Sequence, residues 1–153
     1  MSPRTLYRSV AIAEAITWTL LIAGMILKYV FKVGDWPVSI GGFLHGLVFI
    51  TYVMTAILVG VNQRWRKRQI VGAAATAIVP YLTIPFDKWL EKHHKLDGSW
   101  RNQATDHPAD HSWFNQLLRW MLNRPVLLSV GFVVVVGGIM ATMLFVGPPG
   151  GRS

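Results

Sequence analysis

The sequence predicts an all-α membrane protein: a polytopic bundle of four transmembrane helices, with interfacial amphipathic helices between the third and the fourth. Three observations carry that prediction. Hydrophobic residues make up 52% of the chain and charged residues only 14%, against about 25% charged in a soluble domain. The apolar residues gather into four long runs rather than into short alternating stretches. Seven Trp and four Tyr are present, and both types favour the membrane–water interface.

The first run covers 10–31 and is interrupted only by Glu14 and Lys28. Its length, its internal acid and the lack of a small-x-small site after it argue against a cleaved leader. The second covers 38–61, with His45 as its titratable residue. The third, over 70–90, is the shortest: its strictly apolar part is 70–86, with Pro80 inside and Pro85 near the end. Pro80 should kink this helix and free a carbonyl that packing partners must satisfy. The fourth covers 125–147, with Pro125 suited to a first helical turn and Asn123 to the cap. A bilayer core of about 30 Å needs about 20 helical residues, so each run is read as a span. Residues 1–96 then form a three-helix membrane domain. Residues 97–124 form an external loop and interfacial helix, and 148–153 a Gly/Pro-rich, disordered tail.

The segment 87–124 is not all loop. Phe86, Trp89, Leu90, His93 and Leu96 recur at helical spacing, and so do Trp113, Phe114, Leu117, Leu118 and Met121. Both stretches read as amphipathic helices lying in the interface. Orientation follows from Lys and Arg in the loops. Arg64, Arg66, Lys67 and Arg68 crowd the linker after run two, and Arg4 and Arg8 precede run one. With four spans, this places both termini in the cytoplasm and 87–124 outside.

Small residues mark candidate helix contacts: Gly42 and Gly46 with neighbouring Gly41, Ala73 and Ala77, and Gly137 and Ala141. Such spacing lets membrane helices approach closely. Polar residues within the runs are the candidate functional groups. A charged carboxylate at Glu14 costs about 2.5–3.5 kcal/mol even on the lenient insertion scale. Thr17 and Lys28 share nearly its helix face. With the outer ends of helices one and two level, His45 and Glu14 differ in depth by about 14 Å and do not touch. Tyr52 is then the expected partner of Glu14. Lys28, His45, Thr17, Tyr52 and Glu14 form a broken polar ladder. It admits three readings: interhelical hydrogen bonding, a site for a headgroup, quinone or small substrate, and a proton or ion relay.

Other chemistry is poorly represented. His107 and His111 stand four apart, but Pro108 follows His107 and no zinc signature is formed, so they are only weak metal candidates. Cysteine is absent, which excludes disulfides and thiolate sites. No nucleophile elbow, phosphate loop or haem site occurs, so neither enzymatic activity nor a cofactor is expected. The net charge of +8 suits anionic headgroups; no clustered basic face for nucleic acid is formed. The expected partners are the lipid bilayer and a membrane protein or further copies of this chain.

The stretches Val10-Ala-Ile-Ala-Glu14-Ala-Ile-Thr17, Lys28-Tyr29 and Gly42-Phe-Leu-His45-Gly46-Leu-Val-Phe49-Ile-Thr-Tyr52 resemble a family of small bacterial integral membrane proteins catalogued as domain of unknown function 3817. The resemblance runs from about Leu6 to Leu96, through Trp65 and the Pro80 helix. It implies a three-helix unit, with the family signature on Glu14, Lys28, Tyr29, His45, Gly46 and Tyr52. The fourth helix is an extension beyond that unit. No activity comes with the resemblance. The reading carried forward is an accessory or assembly subunit, or a homo-oligomer. The alternative is small-molecule, lipid or proton-coupled transport through the ladder.

Overall fold

The computed structural model describes residues 1–147; the expected disordered tail, 148–153, lies outside them. The described residues form six α-helices: α1 (Pro3–Tyr29), α2 (Trp36–Asn62), α3 (Lys67–Thr76), α4 (Thr83–Lys92), α5 (Trp113–Leu122) and α6 (Pro125–Val146). A short 3-10 turn, Pro108–His111, precedes α5. Three helices, α1, α2 and α6, are long and apolar enough to cross a membrane.

α1 begins seven residues before the apolar run. Ser2 caps it by accepting a bond from the Thr5 amide at 3.1 Å, and Pro3 takes the first-turn position that needs no amide donor. Arg4 and Arg8 are therefore helical. α1 and α2 pack antiparallel along most of their length. Their backbones approach closest at Gly24 and Gly41. A Cβ on Gly24 would lie 2.7 Å from the Pro37 carbonyl oxygen, and one on Gly41 2.8 Å from that of Leu20. The expected contact residues are placed differently. A Cβ on Gly42 would meet only the Leu21 side chain at 3.9 Å, and one on Gly46 would meet Met140 of α6 at 3.6 Å. Ala73 and Ala77 are fully buried. Among the described residues, Gly137 has nothing within 4 Å of its Cβ position, and Ala141 is exposed.

The expected third span, 70–90, is not one helix. α3 ends at Thr76, residues 77–82 form turns, and α4 starts at Thr83. Pro80 breaks the helix rather than kinking it. It lacks an amide donor and steers Val79 away from helical angles. Tyr81 then takes φ +64°, which reverses the chain. Pro85 sits in the first turn of α4, where its missing donor is harmless. The result is a helical hairpin that enters and leaves at the same end of the bundle. Its tip lies beside Trp18 and Thr19 of α1. The Trp18 indole donates to the Ala77 carbonyl at 3.1 Å, and the Thr19 and Tyr81 hydroxyls lie 3.2 Å apart. A packing partner thus takes a carbonyl at the break, as the proline required.

This hairpin changes the topology. The end of α4 returns to the start of α1: Arg8 pairs with Asp87 at 2.9 Å and Glu91 at 2.5 Å, and Arg4 also pairs with Glu91. Residues 93–124 lie at that same end. Arg64 binds Asp110 at 2.7 Å, and the Asn62 amide donates to the Arg101 carbonyl at 3.1 Å. The Trp65 indole reaches the Lys95 carbonyl at 2.8 Å, and that of Trp100 the Met1 carbonyl at 2.8 Å. The expectation that 87–124 lies opposite 62–69 is therefore corrected. It rested on four spans, and the hairpin removes one crossing. α6 starts at this end and runs antiparallel to α2, from Leu128 beside Leu58 to Met140 beside Gly46. The start of α1 and the end of α6 lie at opposite ends.

The main core forms where α1, α2 and the hairpin meet, around Tyr7, Ala11, Tyr52, Ala56, Trp65 and Leu90. A smaller one, Ile50, Val136 and Met140, joins α2 to α6. α5 is amphipathic as expected, with Leu118 buried and Trp113, Phe114, Leu117 and Trp120 exposed. The expected cap of α6 is displaced by one residue. Arg124 holds the cap position and lies 4.4 Å from the Trp120 ring, while Asn123 donates to the Asn102 carbonyl.

Candidate functional site

The polar residues within the spans divide into two linked groups and one outlier. In the first, Thr17 lies between Glu14 and His45. Its hydroxyl donates to the Glu14 backbone carbonyl at 3.0 Å and lies 3.4 Å from His45 Nδ1. His45 Nδ1 is 3.7 Å from Glu14 Oε2. The sequence-based separation of these two residues is corrected. α1 overhangs the start of α2, so that Gly24 rather than a residue of its last turn meets Pro37. Thr17 and His45 are therefore level, and Glu14 is three residues, about 4.5 Å, away along the axis. The His45 ring packs on Trp18 with centroids 4.4 Å apart. Glu14 is fully buried, and its Oε1 has no hydrogen-bond partner among the described residues.

The second group is centred on Tyr52, which is not bonded to Glu14 as expected. Its hydroxyl lies 2.6 Å from that of Tyr7 and 3.0 Å from that of Thr76. Thr76 in turn donates to the Ala73 carbonyl at 2.6 Å. Thr83 of the hairpin donates to the Ala11 carbonyl at 3.0 Å. These bonds join α1, α2 and both arms of the hairpin inside one core. Interhelical hydrogen bonds in membranes average about 0.6 kcal/mol each. Tyr52→Phe, which loses two of them, is expected to lower stability by about 1 kcal/mol, read as a melting shift in detergent.

Lys28 and Tyr29 are the outlier. Lys28 pairs with Asp35 at 3.0 Å and lies 5.2 Å from the Tyr29 ring centroid, at the α1–α2 connection. They belong to the end of the bundle and not to the interior ladder. Sequence reasoning missed Tyr7, Trp18, Thr76, Thr83 and Asp87. For Tyr7 a signal existed: Tyr7, Ala11 and Glu14 follow the i, i+4, i+7 spacing of one helix face. For Thr76, Thr83 and Asp87 there was none, because their placement depends on the hairpin.

Outside the spans, Asp110 organises the loops. It accepts bonds from Arg64 and from the Thr105 amide and hydroxyl, and its backbone carbonyl binds Arg119 at 2.5 Å. The Arg64 guanidinium, helped by Thr105, holds the Asp110 carboxyl well below the usual carboxylate range. Burial lowers the neighbouring Arg101 guanidinium, as does repulsion from Arg64. A depressed carboxylate pKa contributes stability above the ordinary Asp value of about 3.9, and that stability is lost as pH falls toward the depressed value. Acidification below about pH 4 should therefore release 97–111, read as faster cleavage there by an acid-active protease. Asp110→Asn should show the release at neutral pH. No group of three or more His, Asp or Glu among the described residues is arranged to hold a metal, His107 and His111 included.

Comparison with known proteins places this arrangement in a family. Over 88 residues, 57% of this chain, it is 41% identical to a Streptomyces coelicolor protein named as a putative membrane protein, of which the match covers 10%. Over 89 residues, 58% of this chain, it is 28% identical to an uncharacterized protein of Mycobacterium tuberculosis, of which the match covers 73%. A Mycobacterium bovis protein gives the same values. This chain thus spans only about a tenth of the Streptomyces relative. No solved structure matches. Residues 4–92 match the family described as Domain of unknown function (DUF3817). Those bounds run from the first turn of α1 to the last residue of α4, so the third element of the expected three-helix unit is here the hairpin. This chain, a membrane protein, belongs to the DUF3817 family.

Proposed function

We propose that this chain is a non-catalytic membrane subunit that acts by helix packing, as an accessory or assembly component or as a homo-oligomer. One observation carries the reading. The intramembrane polar side chains are mostly spent on one another and on the hairpin backbone, whereas the cavities are lined mainly by apolar groups. One of about 300 Å³ lies between α1, α2 and α6, bordered by Val10, Leu58, Leu128 and Phe132, with Thr51, Thr55 and Ser129 as its polar residues. The Streptomyces relative adds support, since there the matching stretch is a small part of a much longer protein. The test is purification from the native host in mild detergent. A stoichiometric protein partner or a homo-oligomer is the expected result, and a lone monomer would sink the reading.

The orientation we propose follows from charge. Of 15 Lys and Arg, Lys28 and Lys32 lie at the α1–α2 connection and Arg152 lies outside the described residues. All the others lie at the end that holds the start of α1. The positive-inside rule then puts that end, with 93–124, in the cytoplasm and the end of α6 outside. Single cysteines at Ser99 and Gly34, treated with an impermeant maleimide in right-side-out vesicles, should react at Gly34→Cys alone. Labelling at Ser99→Cys alone would invert the topology.

Glu14 favours a second reading, proton-coupled transport, because its Oε1 is buried without a partner beside His45. Proton flux in proteoliposomes that is lost in both Glu14→Gln and His45→Ala would establish it. Absence of flux from the wild type would remove it.

A further inference from the structure

α1 and α6 both pack on α2 but not on one another. The groove left between them, at the end that holds the start of α1, encloses about 300 Å³. Its walls are apolar, with Leu6 and Val10 on α1 and Phe132 and Val133 on α6. Two hydroxyls break that pattern. Thr55, on the α2 floor, is fully buried, and its Oγ1 has no hydrogen-bond partner among the described residues. Ser129, on the α6 wall, is exposed, and its hydroxyl is likewise unbonded among the described residues. The third hydroxyl of the groove, Thr51, is already spent on the Leu47 carbonyl at 2.8 Å.

A hydroxyl left unbonded in apolar surroundings is costly, so this pair calls for an acceptor that arrives with an apolar body. Apolar walls suit a hydrocarbon chain and not a file of water, which needs several polar partners per molecule. Depth names the acceptor. The pairing of Thr17 with His45 and of Gly24 with Pro37 puts Thr55 level with Leu6 and Tyr7. That is beside Arg8, the last charged residue before the apolar run of α1. Thr55 therefore stands where hydrocarbon gives way to the polar interface, which is where the ester carbonyls of a glycerolipid lie. Val10, Phe132 and Val133 continue the groove toward the bilayer centre. At its outer mouth, one turn before Leu128, stands Arg124. Its guanidinium lies over the Trp120 ring and has no carboxylate partner among the described residues, so it is available to a phosphate.

We propose that the groove between α1 and α6 is a binding site for a glycerophospholipid, with one acyl chain between the walls, ester carbonyls accepting from Thr55 and Ser129, and the phosphate beside Arg124. This goes beyond the assembly reading and stands whatever the oligomeric state. The probe is phosphatidylglycerol with a diazirine midway along one acyl chain, photolysed in liposomes that hold the full chain. Val10 and Phe132 should be labelled well above Ile16, a lipid-exposed residue of α1 outside the groove. Thr55→Val keeps the side-chain shape and removes the hydroxyl. It should cut labelling of Val10 about threefold, the effect of roughly 0.6 kcal/mol, while labelling of Ile16 is unchanged. Val133→Trp, at a position 68% exposed, fills the groove from the lipid side. It should abolish labelling of Val10 while the protein melts as the wild type does. Labelling spread evenly over the lipid-facing residues, or unchanged in Thr55→Val, overturns the site. So does a groove that takes no label, as when a helix of a second copy fills it.

Discussion

Gly41→Ala should destabilise the folded bundle by about 3 kcal/mol, the upper end of the overpacking range. The added Cβ would lie 2.8 Å from the Leu20 carbonyl oxygen and 3.1 Å from Leu21 Cα. Both are backbone atoms of a helix, so no rotamer change relieves the contact, and α1 and α2 must separate. The separation would also misplace Thr17 against His45, which depends on the same register. Gly24→Ala should behave alike, with its Cβ 2.7 Å from the Pro37 carbonyl oxygen. Gly42→Ala and Gly137→Ala serve as controls. The first meets a side-chain methyl at 3.9 Å and the second meets nothing within 4 Å. Both should be neutral, or gain up to about 1 kcal/mol from helix propensity. Melting in one detergent ranks all four variants, and equal melting across them would refute the close helix contact.

Arg8→Ala should cost about 2–3 kcal/mol and loosen the hairpin. Asp87 is 5% exposed, one of its oxygens already lacks a partner, and the other is held by Arg8 at 2.9 Å. Removing one member of a buried pair costs about 3–5 kcal/mol. The lower figure applies because the Arg8 side chain is 37% exposed, so water reaches the pair. Arg8→Ala also weakens the hold on Glu91, leaving Arg4–Glu91 as the remaining ion pair among the described residues between the start of α1 and the end of α4. The measurement is backbone hydrogen exchange over 83–92 in micelles. Faster exchange there, with α6 unchanged, is the expected pattern. A uniform change along the chain would mean that Arg8 supports the whole bundle and not the hairpin. The double variant Arg8→Ala, Asp87→Asn should recover part of the loss, because the uncompensated charge is gone.

Much of this architecture was legible in the residues. The apolar runs at 10–31, 38–61 and 125–147 became α1, α2 and α6, because their backbone bonds must close locally in lipid. The α5 stretch showed itself by its spacing. The depth of His45 was misread: it is level with Thr17. The contact of His45 with Glu14 was not legible, because it depends on how far α1 overhangs α2, and no count along one helix contains that offset. Tyr52 was identified as a buried polar residue, but its partners Tyr7 and Thr76 come from elements whose placement was unknown.

The sequence by itself determined the lipid setting, the three long apolar helices and part of the buried polar set, namely Glu14, Thr17 and Tyr52. These follow from composition and from periodicity within single segments. Tertiary structure alone decided that 70–90 folds back at Pro80, that 87–124 shares an end with 62–69, and that Gly24 and Gly41 are the points of closest approach. A proline states that a helix is interrupted; it does not say whether the chain kinks onward or returns. That choice is made by the contacts awaiting the second arm: the Ala11 carbonyl for Thr83, and Arg8 and Arg4 for Asp87 and Glu91.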